Sequence, residues 1–271
     1  SLADKRYYMI LGESQGGATY TNDIRFNADS GSNYAIRQSV NGGADGAYAG
    51  QDQMNFDGTG SNTDKFGVGY IANLSTKEKL YQSHVVQRST AGAGNDPKRG
   101  EFAGKWANTS NAINSISMLN RGSGTSSAGE LVVLGWDPAD THTTNFWEEL
   151  SSTSLSGSAG FLNSSQFTAK KYIWFQAYLK NSGSIQLEMK FGHGGTITTG
   201  LEYASRISIN GATDDASRVS KNSIQTEKNT TSPIFVNGFI VNNASNEKLC
   251  IMHEVIQNTA GAGTAPERVE F

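Results

Sequence analysis

The sequence predicts an all-β protein built as two tandem β-sandwiches, the second a shortened copy of the first. Three observations carry that prediction. Glycine is abundant, at 31 residues, proline is scarce, at 4, and Ser, Thr and Asn fill the spaces between short apolar runs. That texture belongs to short strands and tight turns, because Gly and Asn supply the positive φ that hairpin turns need. Lys and Glu nowhere build a long helical face. Most tellingly, residues 89–102 read STAGAGNDPKRGEF and residues 258–271 read NTAGAGTAPERVEF, nine of fourteen positions identical under a shift of 169.

The same shift carries GYIANLSTKEKL (69–80) onto GFIVNNASNEKL (238–249), and His84 onto His253. At 271 residues the chain holds one large core or two medium ones, and the repeat decides for two: 1–140 as the first sandwich, 141–168 as a linker, and 169–271 as the second. Charged residues make up only 17%, and the formal net charge is −3, which points to neither nucleic acid nor anionic membrane as a partner. The one cysteine, Cys250, lies in the apolar run LCIM and reads as a small buried or half-buried hydrophobe. No apolar run approaches the roughly 20 residues that span a bilayer, so membrane insertion is not expected. The first ten residues, SLADKRYYMI, lack the features of a secretory leader and read as a cytoplasmic start.

In chain order, YYMIL (7–11) is the first strand, and its partner in the second copy is YIWFQAYL (172–179) at a shift of 165. There Tyr172, Trp174, Gln176 and Tyr178 share one face, while Ile173, Phe175, Ala177 and Leu179 share the other and face the core. The aromatic residues Tyr172, Trp174 and Tyr178 are the candidate platform for a sugar; covering a sandwich edge or an interface is the plainer role. DIRFNADSGSNYAIRQSV reads as a hairpin, with Ile24 and Phe26 on its first strand and YAIRQSV as its second. In the second copy Phe191 matches Phe26, four extra residues sit in the turn, and YASRISINGATD then matches YAIRQSVNGGAD at seven of twelve positions. Residues 47–65 read as loop. FGVGYIANL (66–74) and KLYQSHVVQ (79–87) form a strand pair around STKE, placing Leu80, Gln82, His84 and Val86 on one face, matched by Leu249, Ile251, His253 and Val255.

A His at the same place in both copies invites a metal or acid–base reading. No second ligand falls at ligand spacing, so His84 and His253 are read as structural, hydrogen-bonded at the edge of the core. TAGAG is likewise a structural loop, because no Lys-Ser/Thr and no helix follow it as a phosphate cradle requires. Arg99 and Arg268 coincide across the copies and are expected to fix that loop through backbone carbonyls or a carboxylate. EFAGKWAN (101–108), INSISMLNRG (113–122) and ELVVLGWD (130–137) are three further strands, and the last two have no counterpart in the second copy, so that either the natural protein continues beyond Phe271 or a neighbour supplies the strands. In the connection, NFWEEL (145–150) suits a short helix, and Asp137, Asp140 and His142 form a candidate cation site. No elbow, zincin or Cys/His signature of a hydrolase is present, and no cofactor is implied; two carboxylates of a glycosidase remain the one enzymatic option.

At FNADSGSNYAIR (26–37), with GYIANLSTKEKL and TAGAGNDPKRGEF downstream, the chain resembles virion structural proteins of tailed phages and related viruses, whose β-sandwich modules carry such an Asn-x-Asp-Ser-Gly-x-Asn-Tyr turn. The resemblance covers most of the first copy and weakens in the second, where FGHGGTITTGLEY has lost the Asn, Asp and Ser. It implies a place, the virion, with synthesis in the host cytoplasm. The expectation is therefore two jelly-roll-like sandwiches that act by assembly and not by catalysis, as capsid decoration or as part of a tail or fibre, with copies of the chain and other virion proteins as partners. The alternatives are a carbohydrate-binding module for a host-surface glycan and an extracellular filament subunit closed by strand donation.

Overall fold

The computed structural model describes all residues except 17–19, 58–62, 123, 125, 139, 141–146, 156, 158–159, 181, 184–185, 195, 211–215, 226–230 and 258–264. It is all-β, and the described residues contain no helix. The N-terminal half holds β1 (Tyr7–Gly16), β2 (Asn22–Phe26), β3 (Tyr34–Val40), β4 (Gly46–Gln51), β5 (Met54–Asn55), β6 (Lys65–Ala72), β7 (Lys79–Gln87), β8 (Lys98–Trp106), β9 (Ile116–Asn120) and β10 (Ser126–Trp136). The C-terminal half holds β11 (Tyr172–Leu179), β12 (Glu188–Met189), β13 (Gly192–His193), β14 (Thr196–Ile197), β15 (Tyr203–Ile209), β16 (Ala216–Lys221), β17 (Ile224–Gln225), β18 (Ile234–Val241), β19 (Leu249–Ile256) and β20 (Glu267–Glu270).

The larger sheets run β10-β1-β6-β7-β8-β3-β4 and β11-β18-β19-β20-β15-β16, with antiparallel neighbours throughout. Under the shifts of 165 and 169, β1 falls on β11, β6 on β18, β7 on β19, β8 on β20 and β3 on β15. The two orders are then the same, with β10 as the extra edge strand of the first. A smaller sheet, β5-β2-β9, covers the inner face of the seven-stranded one, and the pair β12-β17 stands in the corresponding place in the second half.

The layers are held by three apolar cores. The first lies between the three- and seven-stranded sheets and joins Ile24, Phe26 and Met54 to Tyr8, Ile10, Tyr81 and Trp106. Its Phe56 ring lies flat on the backbone of Gly12 and Gly67; a Cβ at Gly67 would come within 2.5 Å of that ring, so the close approach requires glycine. The second core lies between the outer faces of the two large sheets, Met9, Leu11, Phe66, Val68 and Val86 against Phe239, Val241, Leu249 and Ile251. The third, around Ile207, Ile234, Val236, Met252 and Val269, belongs to the C-terminal half, and Phe175 and Ala177 pack against it as the alternation of β11 predicts. Half-buried Cys250 joins it too, and burial raises its thiol pKa to about 12.

The expected hairpin of β2 and β3 does not form. β2 pairs with β5 and β9, whereas β3 pairs with β8 and β4, so the turn carries the chain from one sheet across to the other. Asn27 and Ala28 take positive φ there. Asp29 accepts hydrogen bonds from the Gly31 amide at 2.9 Å, the Asn33 side chain and Trp106 Nε1 at 2.7 Å, and the Tyr34 hydroxyl accepts one from the Phe26 amide. A polar turn between two alternating runs reads the same whether its strands pair or part. The second half keeps the last clasp, Phe191 amide to Tyr203 hydroxyl at 2.7 Å, and puts the small hairpin β13-β14 where Asp29 would be. Residues 47–65, expected as loop, contain β4 and β5. Of the helix expected over 145–150, residues 145–146 lie outside the described residues and 147–150 are not helical.

Candidate assembly interface

The outer faces of the large sheets are ruled by cross-strand rows, because opposed residues of antiparallel strands share a face. At one end of the N-terminal face the row is Glu13, Phe66, Val86 and Arg99. The equivalent row of the C-terminal face is Tyr178, Phe235, Val255 and Arg268. Toward the other end stand Tyr7, Ala72 and Leu80 in the first half, and Tyr172, Val241 and Leu249 in the second.

The first half buries Phe66 and Val86 where the second exposes their counterparts, and the second buries Leu249 where the first exposes Leu80, with Tyr7 and Ala72 half-buried. Phe66 and Val86 are 0% and 5% exposed, while Phe235 and Val255 are 42% and 46% exposed and Tyr178 is 71% exposed. Conversely Leu249 is 8% exposed and Leu80 59%. Phe66 stacks on Tyr172 at 6.0 Å between ring centroids, joining the buried row of the first half to the buried row of the second. Polar bridges frame this contact: Lys171 meets Glu13 at 2.8 Å and Glu130 at 2.6 Å, the Tyr172 hydroxyl donates to Glu130, and the Gly92 amide donates to Glu247 at 2.6 Å.

His84 and His253 meet between the sheets, their ring centroids 4.3 Å apart. Beside them Arg99 contacts Glu270 at 2.8 Å and Glu101 at 3.1 Å, and Arg268 reaches Glu270 at 3.2 Å. Glu270, on β20, thus serves both arginines. Each arginine also follows an asparagine clasp, Asn41 with Arg99 and Asn210 with Arg268, in which both asparagines take positive φ and the side-chain oxygen accepts the arginine amide at 2.9 Å. Burial pushes the His84 pKa down to about 3, aided by His253 and the two guanidinium groups. His253 is lowered for the same reasons, burial first. Burial raises Glu101 to about 7, where it shares a hydrogen bond with Glu270; Glu270 is held below the usual range despite its burial, by that bond and the two arginines. At neutral pH the histidines are uncharged rings, tilted by 59° to each other, within an ion-pair frame.

The other sequence-derived candidates are scattered. Tyr172 is drawn into the contact between halves, and Trp174 stacks on Phe239 and under Trp147 while its Nε1 donates to Asn237, so of the three aromatics only Tyr178 stands largely clear. Asp137 and Asp140 both hold Lys5, Asp140 at 2.7 Å, and Asp137 also accepts the Arg6 amide; His142 lies outside the described residues. These two carboxylates thus fasten the first strand and are occupied by a cation of the chain itself. Among the described residues no group of three or more His, Cys, Asp or Glu is placed to hold a metal ion, and no helix is long and apolar enough to cross a membrane.

Sequence reasoning missed the row Tyr178–Phe235–Val255, which only strand register assembles, and a buried polar cluster in the first half. There Lys65 and Asp57, 2% and 0% exposed at their side chains, meet at 2.7 Å. Tyr20 and Asn22 close the cluster over Ser14. No family model matches the chain, and no curated protein or solved structure is significantly similar to it.

Proposed function

We propose that the protein is a structural subunit that assembles with copies of itself, and that its setting is a virion. One observation carries the assembly: the contact between the halves buries one row from each, and leaves the equivalent of each, on the opposite half, open to solvent. The ridge Tyr178–Phe235–Val255 has the place and apolar character of Phe66–Val86, which the chain already covers with Tyr172, Val241 and Leu249. Leu80 is the counterpart of Leu249, and it borders a shallow depression of about 450 Å³ shared with Tyr48, Ala103 and Lys105. The ridge of one copy seats on the Leu80 surface of the next, in a head-to-tail contact that propagates into a ring or a filament. Exposed apolar rows of this kind mark interaction sites in soluble proteins. The virion as setting is supported by the FNADSGSNY turn and the repeated downstream segments.

The test mixes two variants. Phe235→Asp removes the ridge and Leu80→Asp the surface it meets. Wild-type protein sediments as oligomers, each variant alone as a monomer, and an equimolar mixture as a dimer, since each variant keeps the surface the other has lost. A wild-type monomer at every soluble concentration, or assemblies indifferent to both substitutions, overturns the reading.

A further inference from the structure

The buried cluster of the first half holds a primary amine, Lys65, and two carboxyls, Asp57 and Asp23. Lys65 Nζ stands 2.7 Å from Asp57 Oδ2, donates to the Tyr20 carbonyl at 2.9 Å, and lies 4.3 Å from the centre of the Tyr20 ring. The Asn22 amide donates to the same Asp57 Oδ2 at 2.8 Å, fixing the carboxyl plane and placing a donor where negative charge develops when its carbon is attacked. Among the described residues, Asp57 Oδ1 is buried without a hydrogen-bond partner, and so is Oδ1 of Asp23, whose Oδ2 is held by Gln53 and Arg121. The charge of Asp23 is felt by Lys65, and that of Asp57 by Asp23.

We propose that Lys65 and Asp57 condense to an intramolecular amide, with Asp23 carrying the proton. A proton first passes from the Lys65 ammonium to Asp57, giving an amine and a carboxylic acid. Lys65 Nζ then attacks Asp57 Cγ, the N–C bond forms, and Asp23 accepts the second amine proton. Asp23 returns that proton to the departing hydroxyl, the C–O bond breaks, and water leaves. The balance is one amine and one acid converted to one amide and one water, with no oxidant, reductant or cofactor.

Burial favours the first step, because it disfavours both charges: it lowers the Lys65 amine and raises Asp57 and Asp23 to about 6. The product removes two ions from a compartment where desolvation makes them costly, and fixed geometry supplies the proximity that an amine and an acid lack in water. The amide ties β6 to the segment after β5, across the two sheets of the first half. The second half has Ile234 in place of Lys65 and forms no such bond.

Intact mass spectrometry of the full chain decides. The expected mass is about 18 Da below the sequence mass, with tryptic cleavage after Lys65 blocked so that peptide 38–77 carries the deficit. Lys65→Arg, which keeps the charge pair and cannot condense under these conditions, restores the full mass, and circular dichroism confirms its fold. Asp23→Asn, folded by the same criterion, slows the loss of water. A full mass in the wild type overturns the proposal. So does a deficit that survives Lys65→Arg, with cleavage after Lys65 intact, because a cyclic imide at Asp57-Gly58 gives that result.

Discussion

The two halves share a strand order and differ in what they do with charge inside it. Under the shift of 169, Lys65 of the first half stands where the second has Ile234, and Glu254 of the second stands where the first has Val85. Lys65 is buried against a partner of opposite sign, donating also to the Tyr20 carbonyl, while the Asn22 amide donates to Asp57 Oδ2. Glu254, 1% exposed, has no hydrogen-bond partner among the described residues on either carboxyl oxygen, and burial raises its pKa to about 7. One sheet architecture thus accommodates a buried charge in two ways: by pairing it, or by letting it take up a proton. The difference teaches that the scaffold tolerates polar interiors, and that the first half organises one around a buried ion pair.

The largest effect should come from breaking the paired side of this comparison. Lys65→Ile imitates the second half and leaves Asp57 buried alone, at a cost of about 3–5 kcal/mol in urea unfolding. Adding Asp57→Leu should recover most of that loss, since an apolar pair of similar volume replaces the ionic one. Failure of the double variant to recover would show that the amide, or the polar network, is structurally required.

The reverse exchange sharpens the unpaired side. Glu254→Val imitates the first half and should raise stability by about 1–3 kcal/mol at pH 8. The gain should shrink on acidification. The folded-state pKa of about 7 lies above the unfolded value, so the wild-type carboxyl contributes most below its unfolded pKa and loses that contribution as pH rises through 7. Thermal melts of both proteins from pH 5 to pH 8 read this directly.

The smallest effect concerns the contact that joins the halves. His84 and His253 have depressed folded-state values, so their contribution is present above pH 6.5 and is lost as pH falls from there toward 3. Glu101, raised to about 7, works in the opposite direction over part of that window, and Arg99, Arg268 and Glu270 face the same space. Replacing both histidines with asparagine isolates their share: the stability of the wild type relative to the variant should be greatest at pH 7.5 and fall steadily as pH drops from 6.5 toward 3.

Much of the architecture was legible in residues. The alternation on β7 and β19 named the outer faces, and Leu80, His84 and Val86 do share one. The turn at 75–78 joins a strand pair as read, and the repeat shifts predicted which strands of the halves correspond in the sheets. The parting of β2 from β3 was not legible, since its decisive bond, Asp29 to Trp106, spans 77 residues. The ridge was hidden for a related reason: Tyr178, Phe235 and Val255 become neighbours only through strand register. The meeting of His84 with His253 depends on how one sheet lies on another, which no local pattern encodes. Glu254 and Lys65, by contrast, were readable by setting the copies side by side and asking where an apolar position had turned ionic.

The pair of imidazoles has one more consequence. Two aromatic rings 4.3 Å apart, one from each half, shift each other's proton resonances through their ring currents. The molecule therefore carries an internal gauge of how its halves lie on each other, readable in a one-dimensional spectrum without any label.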